Sequence, residues 1–114
     1  MSDIHQLPDP ELIGFAHESE RRVADLLDFY GIAWDYEPRT FVLDEAPDGG
    51  TLSAFTPDFY LPDHDLYLEV TTLRQSLVTR KNRKVRRLQE LHPGIQIRVL
   101  YRSDVERLFV KHAA

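Results

Sequence analysis

The chain has 114 residues, of which 42% are hydrophobic and 29% charged, and its formal net charge at pH 7 is −5. This size and composition are typical of a single folded domain and leave too little apolar surface for two independent cores. The chain contains no cysteine, which excludes disulfides, thiolate zinc sites and cysteine nucleophiles. No apolar run approaches the roughly 18 residues of a membrane span, and the first residues lack the pattern of a signal peptide. We therefore expect a cytoplasmic protein that does not contact membranes.

The charges are distributed unevenly along the chain. Residues 1–71 hold 16 acidic and 3 basic side chains, a net of −13, whereas residues 72–114 hold 3 acidic and 11 basic side chains, a net of +8. This asymmetry favours an acidic site next to a surface that attracts anions. The alternative is a solvated basic helix that happens to lie in the second half of the chain.

An extended lead-in is predicted over residues 1–10, which contain two prolines. Residues 11–30 predict a helix, or a shorter one that begins near Ser19 as its N-cap, and Gly31 predicts where it ends. Apolar side chains recur at i, i+3, i+4 and i+7 from Val23, so one face of this helix is expected to be buried.

Four strands and two further helices follow. Branched and aromatic residues between turn signals predict the strands at 39–43, 54–61, 66–71 and 95–101. One helix is predicted over 77–91, and a last one runs from Ser103 to about Lys111. The first three strands predict an antiparallel meander, and the third and fourth, joined by a helix, predict a right-handed parallel crossover. The sequence thus predicts an α/β fold of α-β-β-β-α-β order, with a mixed four-stranded sheet flanked by helices.

Two carboxylates are predicted to face each other across the hairpin of the second and third strands. A turn centred between residues 63 and 64 places Asp58 opposite Glu69, with Cβ atoms about 4.5–5.5 Å apart, and a bulge at Pro57 would shift this register. Thr71 is expected on the same face as Glu69. A proton, a basic side chain or a cation must offset the repulsion, and Mg²⁺ is well suited to such a pair. The alternative is an exposed acid pair that binds arginines.

Glu20 is a candidate third acid of this cluster. At 100° per residue it lies about 60° from Val23, at the edge of the apolar stripe of the first helix. It can therefore face the margin of the sheet and join Asp58 and Glu69. The alternative is an acid in the first helical turn that is favoured only by the helix dipole.

The helix at 77–91 combines a basic stripe with one lysine on its apolar side. The stripe has helical spacing and suits the phosphates of a nucleic acid; its members are Arg80, Arg83, Lys84 and Arg87. A solubilising face is the alternative, although such faces usually mix both signs of charge. Lys81 falls near the middle of the apolar face, so it must either extend out to solvent or meet an anion such as the acidic cluster.

Together these residues resemble the PD-(D/E)XK nuclease superfamily, which includes restriction endonucleases and Holliday-junction resolvases. The resemblance covers roughly Ser19 to Tyr101. The Pro-Asp of its second strand matches Pro57-Asp58, and the Glu-x-Lys of its third strand matches Glu69-Val70-Thr71. The resemblance implies a restriction-endonuclease-like core and an endonuclease that hydrolyses phosphodiester bonds, with DNA as the expected partner. It also allows a homodimer.

The resemblance implies a role for each residue of the site. Asp58, Glu69 and the carbonyl of Val70 would hold Mg²⁺ or Mn²⁺, and Glu20 matches an acid on the first helix of many members. Arg80, Arg83, Lys84 and Arg87 would hold the nucleic-acid backbone.

Thr71 departs from the family pattern, because lysine is usual at that position. Threonine can donate a hydrogen bond to a catalytic water but cannot supply positive charge. Lys81 is the first candidate to replace the missing lysine, and Lys84 is the second. The departure also motivates an alternative function: a catalytically inactive nuclease-fold module that binds nucleic acid or a protein.

A weaker alternative is a metal-independent acid–base enzyme that uses His64 with Asp63 or Asp65, although Asp is common in tight turns for backbone reasons. Trp34 and Tyr36 precede the first predicted strand and are interpreted as core or edge packing.

Overall fold

The computed structural model describes residues 18–71 and 75–101, together with residues 103, 104 and 107. Its elements are α1 (Glu18–Phe29), β1 (Asp35–Tyr36), β2 (Phe41–Glu45), β3 (Thr51–Phe55), β4 (Phe59–Leu61), β5 (Leu66–Thr71), α2 (Gln75–Leu91) and β6 (Ile97–Tyr101). The predicted lead-in at 1–10, the start of the predicted first helix and most of the predicted last helix lie outside the described residues. No helix within the described part is long and apolar enough to cross a bilayer.

The main sheet has four strands in the order β1-β4-β5-β6. β1 pairs with β4 and β4 with β5 in antiparallel fashion, whereas β5 and β6 are parallel. The parallel pair is joined through α2, as the sequence predicted. The α/β class and the mixed four-stranded sheet are therefore confirmed.

The predicted meander is wrong, because the strand expected at 54–61 is two strands. β3 ends at Phe55 and β4 begins at Phe59, and β3 pairs only with β2 in a separate two-stranded sheet. Pro57 lies in the break, and proline has no N–H to donate to a strand ladder. The fourth strand of the main sheet is instead β1, which at two residues is too short to give an alternating pattern.

Both faces of the main sheet are covered by apolar side chains. On one face α1 packs through Val23, Ala24 and Leu27, against Trp34 and side chains of β4 and β5. On the other face the apolar cluster consists of Phe41, Leu43, Phe55, Tyr67, Val85 and Leu88. The assignment of Trp34 to the core is thus confirmed.

A single strand over 54–61 would place Phe55 and Phe59 on the same face, whereas the structure separates them. Phe55 belongs to the cluster beneath α2, whereas Phe59 belongs to the cluster beneath α1. The break at Pro57 redirects the chain between them, so the alternation of a single strand does not apply across it.

We expect Leu88→Ala to lower the free energy of unfolding by about 3 kcal/mol, because it removes a fully buried side chain and leaves a cavity. Leu88 is 0% exposed, whereas Leu91, three residues further along α2, is 40% exposed. Leu91→Ala is therefore the matched control, with an expected loss below about 1 kcal/mol. Urea denaturation of both variants measures the difference, and equal losses would contradict the packing of α2 on the sheet.

Candidate active site

The hairpin of β4 and β5 places Asp58 beside Glu69. Phe59 pairs with Leu68 in the ladder, so Asp58 and Glu69 are the next residues outward, as the sequence predicted. The Asp58 N–H donates to Glu69 Oε1 at 3.2 Å, and the Val70 N–H donates to Asp58 Oδ2 at 2.7 Å. The Glu69 carboxylate is thus held by the Asp58 backbone, and the Asp58 carboxylate by the backbone of Val70, the residue after Glu69.

Burial separates this pair from an ordinary surface pair of acids. Asp58 is 6% exposed and Glu69 is 2% exposed. Burial, reinforced by the nearby charge of Glu69, raises the pKa of Asp58 to about 8. Burial also raises the pKa of Glu69, and a hydrogen bond from Lys81 partly offsets this. The alternative of an exposed acid pair is therefore contradicted. The two buried carboxylates need a proton or another positive charge to offset their repulsion.

Lys81 reaches the acid pair from the second turn of α2. Its Nζ lies 2.6 Å from Glu69 Oε2 and donates to the Val70 carbonyl at 3.3 Å. The side chain is 25% exposed and lines the cavity, so its ammonium contacts the acid and is also accessible from the cavity. Lys84, the other lysine considered, donates instead to the Ala54 carbonyl of β3 at 2.9 Å.

Glu20 lies on the wall of the same cavity, 2% exposed. It accepts a hydrogen bond from the hydroxyl of Tyr36, whose ring packs edge-on against Phe59 at 5.6 Å between centroids. Tyr36 is thus more than the packing residue that the sequence predicts, because its hydroxyl also orients Glu20. The sequence of a two-residue strand is too short to predict that this hydroxyl points toward the first helix.

The cavity above the acid pair has a volume of about 320 Å³. Its charged lining consists of four acids and three cations: Glu20, Glu37, Asp58, Glu69, Arg80, Lys81 and Lys84. Glu37 was not predicted. It has a positive φ of 47°, and its N–H donates to the Asp58 carbonyl at 2.8 Å, so it lies immediately beside the acid pair.

The donor atoms of the site fit a hard divalent cation. Within the described part of the chain, no three His, Asp or Glu side chains are grouped closely enough to hold a metal ion. Asp58, Glu69 and the Val70 carbonyl nevertheless bring hard oxygen atoms together, and Mg²⁺ typically takes one or two carboxylates and completes its shell with water. The Lys81 ammonium already contacts two of these three groups, which shows that they attract positive charge. Glu20 adds a carboxylate at the cavity wall rather than to the pair itself.

Thr71 is 1% exposed, and its hydroxyl has no hydrogen-bond partner among the residues that the structure describes. It follows Glu69 by two residues on β5, so it lies on the same face of the sheet. The position at which the motif resemblance leads one to expect lysine thus holds an uncharged, buried side chain.

The residues of the acid–base alternative lie away from the cavity. Asp63, His64 and Asp65 are exposed in the turn between β4 and β5. Asp65 accepts a hydrogen bond from the Tyr60 hydroxyl at 2.9 Å. This contact, together with a positive φ of 48° at Asp65, accounts for the aspartate as a turn residue.

Comparisons of the chain with protein-family models, with curated proteins and with solved structures found no match. Membership of the PD-(D/E)XK superfamily stays a prediction from the motif.

Proposed function

We propose that this protein is a metal-dependent nuclease that hydrolyses phosphodiester bonds, with DNA as the expected substrate. The observation that carries the proposal is the buried pair of Asp58 and Glu69 in contact with the Lys81 ammonium, at the floor of an open cavity. Structural acids on a sheet seldom combine deep burial, a raised pKa and a specific cationic partner in a cleft.

Asp58, Glu69 and the Val70 carbonyl would hold Mg²⁺ or Mn²⁺. The chemistry supplied by such an ion would be a lower pKa for a bound water and neutralisation of charge on the phosphate. Hydrolysis forms one P–O bond from water and breaks the P–O bond to the leaving oxygen, which takes up a proton. The negative charge that develops on the phosphate needs a fixed cation nearby.

Lys81 supplies that fixed cation. It thereby takes the role of the lysine that the motif usually has at the position of Thr71. Its ammonium is held in place by Glu69 and the Val70 carbonyl. Glu20, oriented by Tyr36, accepts a hydrogen bond from water in the cavity. Arg80 and Lys84 line the cavity and would contact the phosphate backbone on either side of the scissile bond.

The proposal is tested by measuring metal affinity and cleavage on the same variant. We expect Glu69→Gln to weaken Mn²⁺ binding by at least about tenfold, because it removes a charged ligand while keeping the size of the side chain. Calorimetric titration measures the affinity, and cleavage of linear and branched DNA with Mg²⁺ or Mn²⁺ measures activity.

Glu45→Gln is the matched control, since Glu45 is exposed on β2 and its loss should change neither quantity by more than about twofold. Equal cleavage by the wild type and Glu69→Gln would overturn the role of this carboxylate.

A second candidate function is a nuclease-fold module that binds nucleic acid or a protein without cutting it. The buried, uncharged Thr71 at the usual lysine position favours it. Under this alternative the wild type binds DNA but shows neither cleavage nor saturable Mn²⁺ binding, so the same titration separates the two functions.

A further inference from the structure

A second, basic cavity adjoins the first. It has a volume of about 370 Å³ and lies between the β2–β3 hairpin and α2. Its basic lining consists of Arg83, Lys84, Arg86 and Arg87. Lys84 lines both cavities, so the two are neighbours along the same helix.

Two arginines of this cavity are available to a ligand. The Arg87 guanidinium already forms ion pairs within the protein, at 3.4 Å from Asp44 and 3.7 Å from Glu90. Arg83 and Arg86 are exposed and form no ion pair within residues 18–71 and 75–101. A guanidinium group presents a planar fork of donors that matches phosphate oxygens.

The spacing along α2 suits consecutive phosphates of one strand. Arg83 and Arg86 lie about 3 and about 7.5 Å beyond Lys81 along the helix axis, since each residue rises about 1.5 Å. A nucleic-acid strand in B-form advances about 3.4 Å per nucleotide. A strand with its scissile phosphate near Lys81 would therefore place phosphates one to two nucleotides away beside Arg83 and Arg86 in the second cavity.

We propose that the second cavity is a phosphate subsite for the flanking nucleotides of the strand that is cut. This inference rests on the proposed nuclease function. It makes the preferred substrate an oligonucleotide that continues at least one or two nucleotides to one side of the scissile bond. A small isolated phosphodiester fills only the first cavity and does not reach Arg83 and Arg86.

The test measures the cleavage of two substrates by one double variant, Arg83→Ala/Arg86→Ala, relative to the wild type. The substrates are a fluorescein-labelled single-stranded DNA 12-mer and bis(p-nitrophenyl) phosphate. We expect kcat/KM for the 12-mer to fall at least about tenfold, while that for the small diester changes less than about twofold. Equal losses on the two substrates, or none on the 12-mer, would overturn the subsite.

Arg98→Ala is the matched control for the loss of positive charge. Arg98 is exposed on β6, where Ile97 and Val99 pack into the cluster beneath α2. Arg98 therefore lies on the opposite face of the sheet, and its removal should leave the cleavage of both substrates unchanged.

A binding experiment separates failure of this inference from failure of the nuclease function. Fluorescence anisotropy of the 12-mer in EDTA requires no cleavage. Because the double variant neutralises two fewer phosphates of the single strand, the slope of log K against log salt should become shallower by about 1.4. If the wild type cuts nothing but this change is observed, the nuclease function fails and the subsite stands.

An unchanged slope overturns the subsite whatever the activity. Poly-glutamate tests the other kind of anion: if it competes as well as the 12-mer at equal charge, the cavity binds acidic chains in general, and the inference of a phosphate subsite is wrong.

Discussion

Lys81→Met should lower kcat/KM for DNA cleavage by about a thousandfold, the order expected when a fixed group that stabilises transition-state charge is lost. The matched change Lys84→Met should lower it by no more than about tenfold. The difference follows from where each ammonium lies, because Lys81 contacts Glu69 and the Val70 carbonyl whereas Lys84 is bound to the Ala54 carbonyl of β3. Methionine keeps the length and apolar contacts of the lysine stem in both variants.

Single-turnover cleavage with saturating Mg²⁺ measures this effect, and circular dichroism of each variant establishes that it is folded. The reverse ranking would assign the missing lysine of the motif to Lys84. Equal and small losses would show that neither lysine supplies the catalytic cation.

Asp58→Asn should change how the free energy of unfolding depends on pH. Burial raises the pKa of Asp58 in the folded protein to about 8, whereas an unfolded aspartate titrates near 3.9. Below about pH 4 both states hold the proton; between about 4 and 8 only the folded state does. The stability that this proton provides is therefore complete in acid and is lost as pH rises towards 8, by up to about 1.4 kcal/mol per pH unit.

Asp58→Asn removes this titration, so the gain in stability of the variant over the wild type should grow from pH 5 to pH 8 and then level off. The asparagine carbonyl can still accept the Val70 N–H, so the backbone contact of the carboxylate is kept. Urea denaturation at several pH values in EDTA measures the difference, with Glu45→Gln as the control expected to parallel the wild type. A difference that does not vary with pH would show that the Asp58 carboxyl is not buried as described.

The predictions from sequence were most accurate where a pattern was long, or where a short turn fixed which two residues pair. The register of the β4–β5 hairpin followed from its short turn, and that register placed Asp58 beside Glu69. Helix α2 was predicted because its periodic pattern runs over four turns. The position of Lys81 among apolar residues of that helix left two possibilities, extension to solvent or contact with an anion, and the structure shows the contact with Glu69.

The sequence failed where structure depends on a single residue or on distant packing. One proline divides a run of strand-forming residues between two sheets, and strand propensity at 54–61 does not reveal this. β1 is held by its pairing with β4, which no local pattern encodes. Tyr36 and Glu37, at its end, belong to the site only because that pairing brings them next to Glu20 and Asp58.

The break at Pro57 has a consequence for how this site can diversify. The β2–β3 hairpin forms a sheet of its own yet supplies Ala54, Phe55 and Thr56 to the wall of the first cavity. Its exposed turn at 46–50 can accept insertions without displacing Asp58 from Glu69, since such loop tips tolerate changes in length. Under the proposed nuclease function, the part of the molecule that admits substrate can thus evolve separately from the part that performs the chemistry.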